Sequence, residues 1–473
     1  MNDTVLCDIC SEGRSDEIQS AYDRINELEK KPQEINSQEA LETLERNLRQ
    51  EMDKLIVLVL QKHLQANLDS EEQHAKEAEL IQSWPGRLKN EGLESVWIYT
   101  MSSLMICVKV RYYRRSCDRR SGKRYKGVYA GLVLLGIHER CSPLLGSTIS
   151  MWSALLSSFA EVQQVLKDHG IKLGLKVLRR LTYRYAERAR AVQQLGAFTL
   201  EHGETISGRK VIVSCDGGRI RLRENKRGRK TEKNRTRYKG AWREPKLLII
   251  YVVDEEGRME KSFSPIIDAS FNGPDGIFQL IYDYLKSINI ETADKVLFIA
   301  DGAHWIWNRI PSLIKKTGLQ PEQVHELLDF YHAVEHIGKV ASLRKNWSSK
   351  ERQSWIRKQR KHLSKGQTKE VIDAVKLICK GRNGKAITTE RNYFIRNQQR
   401  MNYPVLKGLK LPLGSGAVES AIRRVVNLRL KGPCIFWYRE NAAKILMLRS
   451  YYKAGRWNML KRMANSPQAA YAA

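Results

Sequence analysis

Hydrophobic and polar residues follow one another along this chain in two rhythms. Between residues 12 and 90, apolar positions recur at helical spacing among Glu, Gln and Lys, with few glycines. ALETLERNLRQEMDKLIVLVLQKHLQ (Ala40 to Gln65) predicts one long amphipathic helix. A solvated helical bundle is the expectation here, with a dimerisation helix as second reading. Trp84-Pro85-Gly86 punctuates its end. From Glu94 to Ile137 the rhythm shortens. WIYT, MICVKVRYY and VYAGLVLLGI read as strands, and RRSCDRRSGKRYKG as a basic turn. Two short helices follow, SSFAEVQQVLKDHG and LGLKVLRRLTYRYAERAR, with Gly170 between them and Ile171 as the apolar turn residue. That length and spacing is that of a helix-turn-helix.

A second block starts near Lys210. KVIVSCDGGRIRLRE, PKLLIIYVVDEEG and MEKSFSPIIDASF read as three consecutive strands, the first two separated by a very basic loop. The helix PDGIFQLIYDYLKSI, the strand KVLFIAD and the helix WIWNRIPSLIKK come next, and HELLDFYHAVEHIGKVA reads as a strand running into a helix. This order predicts an α/β fold, a mixed sheet with helices on its faces, compatible with a ribonuclease-H-like core. From Ser342 to Leu411 the chain is polar, basic and helical, without a strand signal. GSGAVESAIRRVVNLRL opens a fresh helix near Gly416, and the tail ANSPQAAYAA is expected to be disordered. The expected division is a helical region 1–93, a basic β-rich segment 94–141, a helix-turn-helix domain 142–205, the first part of the core 206–341, a helical insertion 342–411, the core's C-terminal helices 412–462 and the tail 463–473.

Charge narrows the function. The 473 residues hold 82 Lys and Arg against 52 Asp and Glu, a formal charge of +30. A core needs no such charge, which repels itself. The physical reason to keep it is a polyanionic partner whose counterions are released on contact, a requirement that a generic RNA-binding protein would also meet. Nine lysines and arginines with three tyrosines lie between Lys109 and Lys126, including Arg114, Arg115, Arg119 and Arg120. That mixture suits phosphates plus stacking; a solvated hairpin tip is the other reading. In the second helix of the helix-turn-helix, Lys176, Arg179, Arg180 and Arg184 surround a stripe of Leu175, Leu178 and Leu181, as a helix entering a DNA groove requires. The longest tight apolar run near the start, Leu55 to Leu60, is too short to span a membrane, which takes roughly 20 residues. No signal peptide is visible, and eight scattered cysteines form no disulfide framework, so a cytoplasmic protein with reduced thiols is expected.

Three carboxylates suggest chemistry. Asp216 lies within the first strand, Asp301 ends the strand VLFIA, and Glu419 stands in the first turn of the late helix. Each has a plain alternative: a turn start, a helix cap, a helix-dipole partner. As a set they fit neighbouring strands closed by a helix. Val418, Ile422 and Val425 make that helix's apolar stripe, while Glu419 and Arg423 form a polar column facing a cleft. Two Mg²⁺ (or Mn²⁺) ions would relieve the repulsion and activate a water or a 3′-hydroxyl against a phosphodiester.

CDGGRIR, ADGAHWIW, DFYHAVEH and GSGAVESAIRRVVNLRLKGPCIFWYRENAAKILMLRS resemble bacterial insertion-sequence DDE transposases, nearest the ISKra-type group related to the Mutator-like class with a helical insertion. The resemblance runs from about Phe159 to Arg449. It implies that Asp216, Asp301 and Glu419 are the catalytic triad and metal ligands, and that Asp329 and His332 in DFYH support the active site, a satisfied structural histidine being the alternative. His304 and His336 are weaker candidates. Trp347 and Trp355 fall in the implied insertion, placed to stack on a flipped base or to pack in a core. Relatives often carry paired CxxC motifs; here Cys7-x-x-Cys10 stands alone, Cys107, Cys117 and Cys141 have no CxxC partner, and a zinc site is not expected. The resemblance implies terminal-repeat binding to double-stranded DNA, strand cleavage and strand transfer, and a homodimer or larger synaptic assembly. The alternatives are another ribonuclease-H-like nuclease, such as a resolvase, and an inactivated transposase kept as a DNA-binding regulator.

Overall fold

The structure, a computed structural model, describes residues 14–30, 35–115, 127–382 and 384–472. The chain divides into two compact units, Met1–Ala197 with Leu460–Ala473, and Phe198–Met459.

The first unit opens with helices α1 (Arg14–Lys30), α2 (Gln38–Leu68) and α3 (Glu71–Ser83). Ser37 and Ser70 cap α2 and α3, their hydroxyls accepting from the Ala40 and Gln73 amides and satisfying donors that a helix start leaves unpaired. Strands β1 (Leu88–Ile98) and β2 (Ile106–Arg115) form an antiparallel ribbon. Its apolar face, with Val96, Ile98, Ile106 and Val108, buries Val57 and Leu68 of α2. Gln61 and Gln65 of α2 also bond the β2 backbone at Cys107 and Lys109. The long amphipathic helix therefore spends one stripe inside its own unit.

VYAGLVLLGI, expected as a strand, is instead the helix α4 (Ala130–Leu134). A short apolar run does not distinguish a strand from a buried helix. The helix packs closely: a Cβ on Gly131 would lie 2.5 Å from Glu77 and 2.8 Å from Leu68. Gly136, at φ +69°, then ends it. Helix α5 (Pro143–Leu155) precedes α6 (Phe159–Asp168) and α7 (Leu175–Gln194). The turn between α6 and α7 has Gly170 at φ +79° and a buried Ile171. The expected disordered tail is also corrected: Ala469–Ala472 is helical, Ala469 is buried, and Tyr471 stands edge-on to Trp84.

The second unit is a mixed α/β structure. Its strands are β3 (Lys210–Gly217), β4 (Ile220–Asn225), β5 (Tyr238–Arg243), β6 (Lys246–Val253), β7 (Ile266–Ser270), β8 (Lys295–Ala300) and β9 (Val324–Leu328). Five form one sheet in the order β7-β6-β3-β8-β9. β3, β6 and β7 pair antiparallel, while β3, β8 and β9 pair parallel. Every residue of β6 is buried, as a strand covered on both faces must be.

The first expected strand is broken. The chain leaves β3 at Gly217-Gly218, and β4 pairs with β5 in a separate hairpin. The Gly218 amide donates to the Pro245 carbonyl, and the Glu244 side chain lies over Gly217, where a Cβ would sit 1.8 Å from its carboxylate. The third expected strand shortens to β7, which begins just after Pro265.

Helix α8 (Gly273–Ser287) joins β7 to β8; α9 (His304–Trp307) and α10 (Ile310–Thr317) join β8 to β9. After α11 (Phe330–Ser342), residues 342–411 hold helices α12 (Ser349–Ser364), α13 (Thr368–Cys379), α14 (Lys385–Arg396) and α15 (Tyr403–Gly408). Helix α16 (Gly416–Ile422) packs against β3 and β6, then widens into a π-turn at Arg423–Asn427. The buried Arg449 side chain donates to the carbonyls of Val425 and Arg424, which such a turn leaves poorly paired. Among the described residues, no helix is long and apolar enough to cross a membrane.

Arg456 locks the far side of this unit. It is 1% exposed and holds both carboxylate oxygens of Glu204, at 2.8 and 3.2 Å. Glu204→Ala would strand that guanidinium without its counter-charge. The second unit's stability should fall by about 3–5 kcal/mol, read as a lower denaturant midpoint at unchanged slope.

Candidate functional site

Asp216 and Asp301 leave the same end of two hydrogen-bonded parallel strands. The last registered pair of β3 and β8 is Ser214 with Ile299, and each aspartate lies two residues beyond it. Both are partly buried. One Asp216 oxygen accepts from the Gly217 amide at 2.6 Å. One Asp301 oxygen accepts from the Ala303 amide at 3.0 Å, and the Asp301 carbonyl takes the Trp307 indole N–H at 2.6 Å. The Asp301 side chain therefore bonds the turn ahead of α9 and does not cap that helix, whose N-cap is Ala303 without a side-chain cap bond.

Burial pushes the Asp216 carboxyl up to about 6, and the charges of Asp301 and Glu244 push the same way. The Gly217 amide and His332 oppose them. A neighbouring carboxylate thus adds to burial in keeping the proton on Asp216, the electrostatic situation that a cation relieves.

Glu419 and His332 approach from the helices. His332 Nε2 lies 3.3 Å from a Glu419 oxygen, and its Nδ1 lies 3.6 Å from Glu335. Asp329, 1% exposed, organises both. Its Oδ1 accepts from the Tyr331 and His332 amides at 2.6 and 2.9 Å, capping α11. Its Oδ2 accepts from the Ser415 hydroxyl at 2.6 Å and from the Ser415 amide. The helix carrying His332 and the turn that starts the helix carrying Glu419 are thus tied to one carboxylate. A side chain of Tyr331 lying 2.8 Å from where a Gly414 Cβ would be accounts for the small residue there.

Among the described residues, the three ligand atoms lying within 4.8 Å of one another belong to Asp329, His332 and Glu419. Asp329 already accepts four hydrogen bonds, so we assign it to holding the site rather than to binding an ion. Asp216 and Asp301 are not in that set. The structure brings these groups together as two neighbouring pairs, Asp216 with Asp301 and Glu419 with His332, and His332 is close enough to act on the Asp216 carboxyl, lowering it.

Further residues belong to the site. Glu244, just before β6, lies over Gly217, and Lys246 forms an ion pair with it. Lys246 is buried and stands 4.1 Å over the Trp305 ring. From α14, Tyr393 covers Gly302: a Cβ there would lie 2.1 Å from the ring. Tyr393 stacks on His336 at 3.7 Å, and His336 Nδ1 meets Glu390 at 2.6 Å. Burial pulls the His336 imidazolium down, against the pull of Glu390. Helices α11 and α14 thereby close over the Asp301 loop. His304 contacts the Arg396 guanidinium. No residue-type signal marks Glu244, since Glu-Pro-Lys before a strand reads as a loop.

The remaining expected residues lie elsewhere. Trp347 and Trp355 pack on each other, centroids 6.0 Å apart, both half-buried. In the first unit, Lys176, Arg179, Arg180 and Arg184 are exposed on α7, opposite the buried Leu178 and Leu181. Arg179 also lies over the Phe159 ring, and Arg184 pairs with Glu187 at 3.0 Å. Arg114 is half-exposed on β2, and Arg115 ends that strand. Arg119, Arg120, Cys7, Cys10 and Cys117 fall outside the described residues. Cys107 and Cys141 are buried, and burial pushes the Cys141 thiol up to about 12.

Compared with known proteins, the chain matches no protein-family model, no curated protein and no solved structure.

Two outcomes follow from this geometry. Asp329→Ala leaves four donors without their acceptor, and should cost about 2–4 kcal/mol in denaturant unfolding, with faster amide exchange at Ser415. The second concerns pH. Asp216 keeps its proton to about 6 in the folded chain and loses it near 3.8 when unfolded. Between those values the folded state binds more protons, so Asp216's contribution to stability falls as pH rises and is fully unfavourable above about 6. In chelator, Asp216→Asn should remove that fall and raise stability at pH 8 by on the order of 2 kcal/mol; an unchanged pH profile would refute the assignment.

Proposed function

We propose that this protein is a DDE transposase that cuts and joins DNA strands with divalent cations. One observation carries the reading: Asp216 and Asp301 emerge together from adjacent parallel strands, with Glu419 on a helix packed against β3. The sheet order supports it, because a central first strand flanked by two antiparallel and two parallel strands is what a ribonuclease-H-like core would require. Residues 342–411, helical and set between β9 and α16, correspond to the insertion that the sequence motifs imply.

The donor set fits hard divalent cations such as Mg²⁺ or Mn²⁺, which take carboxylate oxygens. Asp216 and Asp301 would hold them, with Glu419 as the third acid. The cations would polarise the scissile phosphodiester and make the attacking hydroxyl more acidic. His332 orients the Glu419 carboxylate and acts to lower the Asp216 carboxyl. Asp329 fixes the spacing of the two helices, and Lys246 balances Glu244 beside the sheet. In the first unit, the exposed basic face of α7 would bind the terminal repeats of double-stranded DNA as a helix-turn-helix. Transfer of the freed 3′-hydroxyl to a second DNA requires two ends held at once, hence a homodimer or larger assembly.

The test is incubation of the full chain with its own flanking DNA and Mg²⁺ or Mn²⁺. Asp216→Asn, Asp301→Asn and Glu419→Gln should each lower metal-dependent cleavage by on the order of 10³-fold or more, with folding retained. Pre-cut ends should be joined to target DNA. Cleavage without joining would favour a resolvase-like nuclease, and DNA binding without either reaction would favour a regulator.

A further inference from the structure

We infer that one face of the β4–β5 hairpin is a track for an extended DNA strand, gripping successive phosphates as the strand runs from the Asp216 end of the sheet. This rests on the reading of the site as one that acts on DNA.

Residues 219–243 hold twelve lysines and arginines against two glutamates, about a third of the chain's net charge. Glu224 takes Lys239 and Arg243. Among the described residues, no carboxylate lies within ion-pair distance of the other ten basic side chains.

Alternation sorts the hairpin into two faces. Ile220 and Leu222 are buried on one. Arg221 and Arg223 point to the other, and Arg219 continues their row toward Gly218. In register, Arg221 opposes Trp242, and Arg223 opposes Gly240. The guanidinium groups lie against aromatic rings. Arg219 and Arg221 each stand 5.5 Å from the centre of Trp242; Arg221 is also 4.8 Å from Phe436, and Arg223 is 4.5 Å from Tyr238. Gly240 makes room, since a Cβ there would lie 2.6 Å from the Phe436 ring.

An arginine stacked by its flat face loses little freedom on binding and presents its N–H edge to an anion. Arg221 Nη2 donates to the Gly432 carbonyl at 2.6 Å, which fixes the group and leaves its other N–H donors for a phosphate. Arg223 Nε is buried with no hydrogen-bond partner. Along a strand, alternate residues are about 6.6 Å apart. That repeat is close to the distance between consecutive phosphates of an extended nucleotide strand, so Arg219, Arg221 and Arg223 are spaced for three in a row. Trp242 and Tyr238, both over a third exposed, lie beside the row where sugars or unpaired bases can stack. The row starts three residues after Asp216, which ties the track to the acids.

The experiment is a salt series of fluorescence-anisotropy titrations. A single-stranded DNA oligonucleotide is bound by the full chain in chelator, wild type beside the triple variant Arg219→Gln, Arg221→Gln, Arg223→Gln. Loss of three phosphate contacts should reduce the slope of log affinity against log salt by about 2. An unchanged slope in a folded variant overturns the inference. A second measurement needs only wild type: ultraviolet crosslinking to an oligonucleotide bearing 5-iodouracil, followed by peptide mapping. Crosslinks at Trp242, Tyr238 or Phe436 support the track, and crosslinks confined to other peptides overturn it. Both measurements are independent of cleavage. A lowered slope in a protein that never cuts DNA retains the track and removes the enzyme reading; cutting with an unchanged slope removes the track alone.

Discussion

A single buried carboxylate sets the geometry of the candidate site. Asp329 has four hydrogen-bond donors around it, two from the start of α11 and two from Ser415. Its oxygens are saturated, and its environment leaves no room for another rotamer without stranding buried donors. Because each helix is rigid over one turn, fixing their starts also fixes His332 and Glu419, one turn further along. The cluster's 3.3 Å contact is a consequence of backbone anchoring more than of attraction between a half-buried histidine and an exposed glutamate.

Electrostatics in the second unit then fall into two opposed zones. At the sheet end, Asp216, Asp301 and Glu244 lie with one buried lysine, and burial, helped by the two other carboxylates, raises the Asp216 carboxyl. A few residues away, the β4–β5 hairpin gathers lysines and arginines with few acids. The two zones share one polypeptide turn, Gly217-Gly218. A polyanion and divalent cations together would neutralise both, which is why the proposed substrate and proposed cofactor are better considered as a pair.

Much of this was legible in the residues, for identifiable reasons. VIVSCD and VLFIAD are apolar runs ending in an acid, and β3 and β8 lie where those runs lie. The strandless character of 342–411 was visible in its composition. Helix α4 was misread because AGLVL carries no polar positions from which to take a period. The exit of the chain at Gly217 was hidden, since β4 leaves β3 to pair with β5, and that pairing is not written in the local sequence. Tyr393 was equally invisible: only folding brings it over Gly302 from 91 positions along the chain. Residues that act alone on a strand announce themselves, whereas residues defined by what packs on them do not.

The separation of Asp329 from Ser415, 86 positions, bears on how the molecule is made. A ribosome delivers the sheet long before it delivers the serine that completes the carboxylate's shell. Until then, nascent chains carry Asp216 and Asp301 without the helix that brings Glu419. A product truncated within the intervening helices would keep its basic hairpin and lack the third acid, so premature termination would yield an incomplete cluster rather than a half-working one.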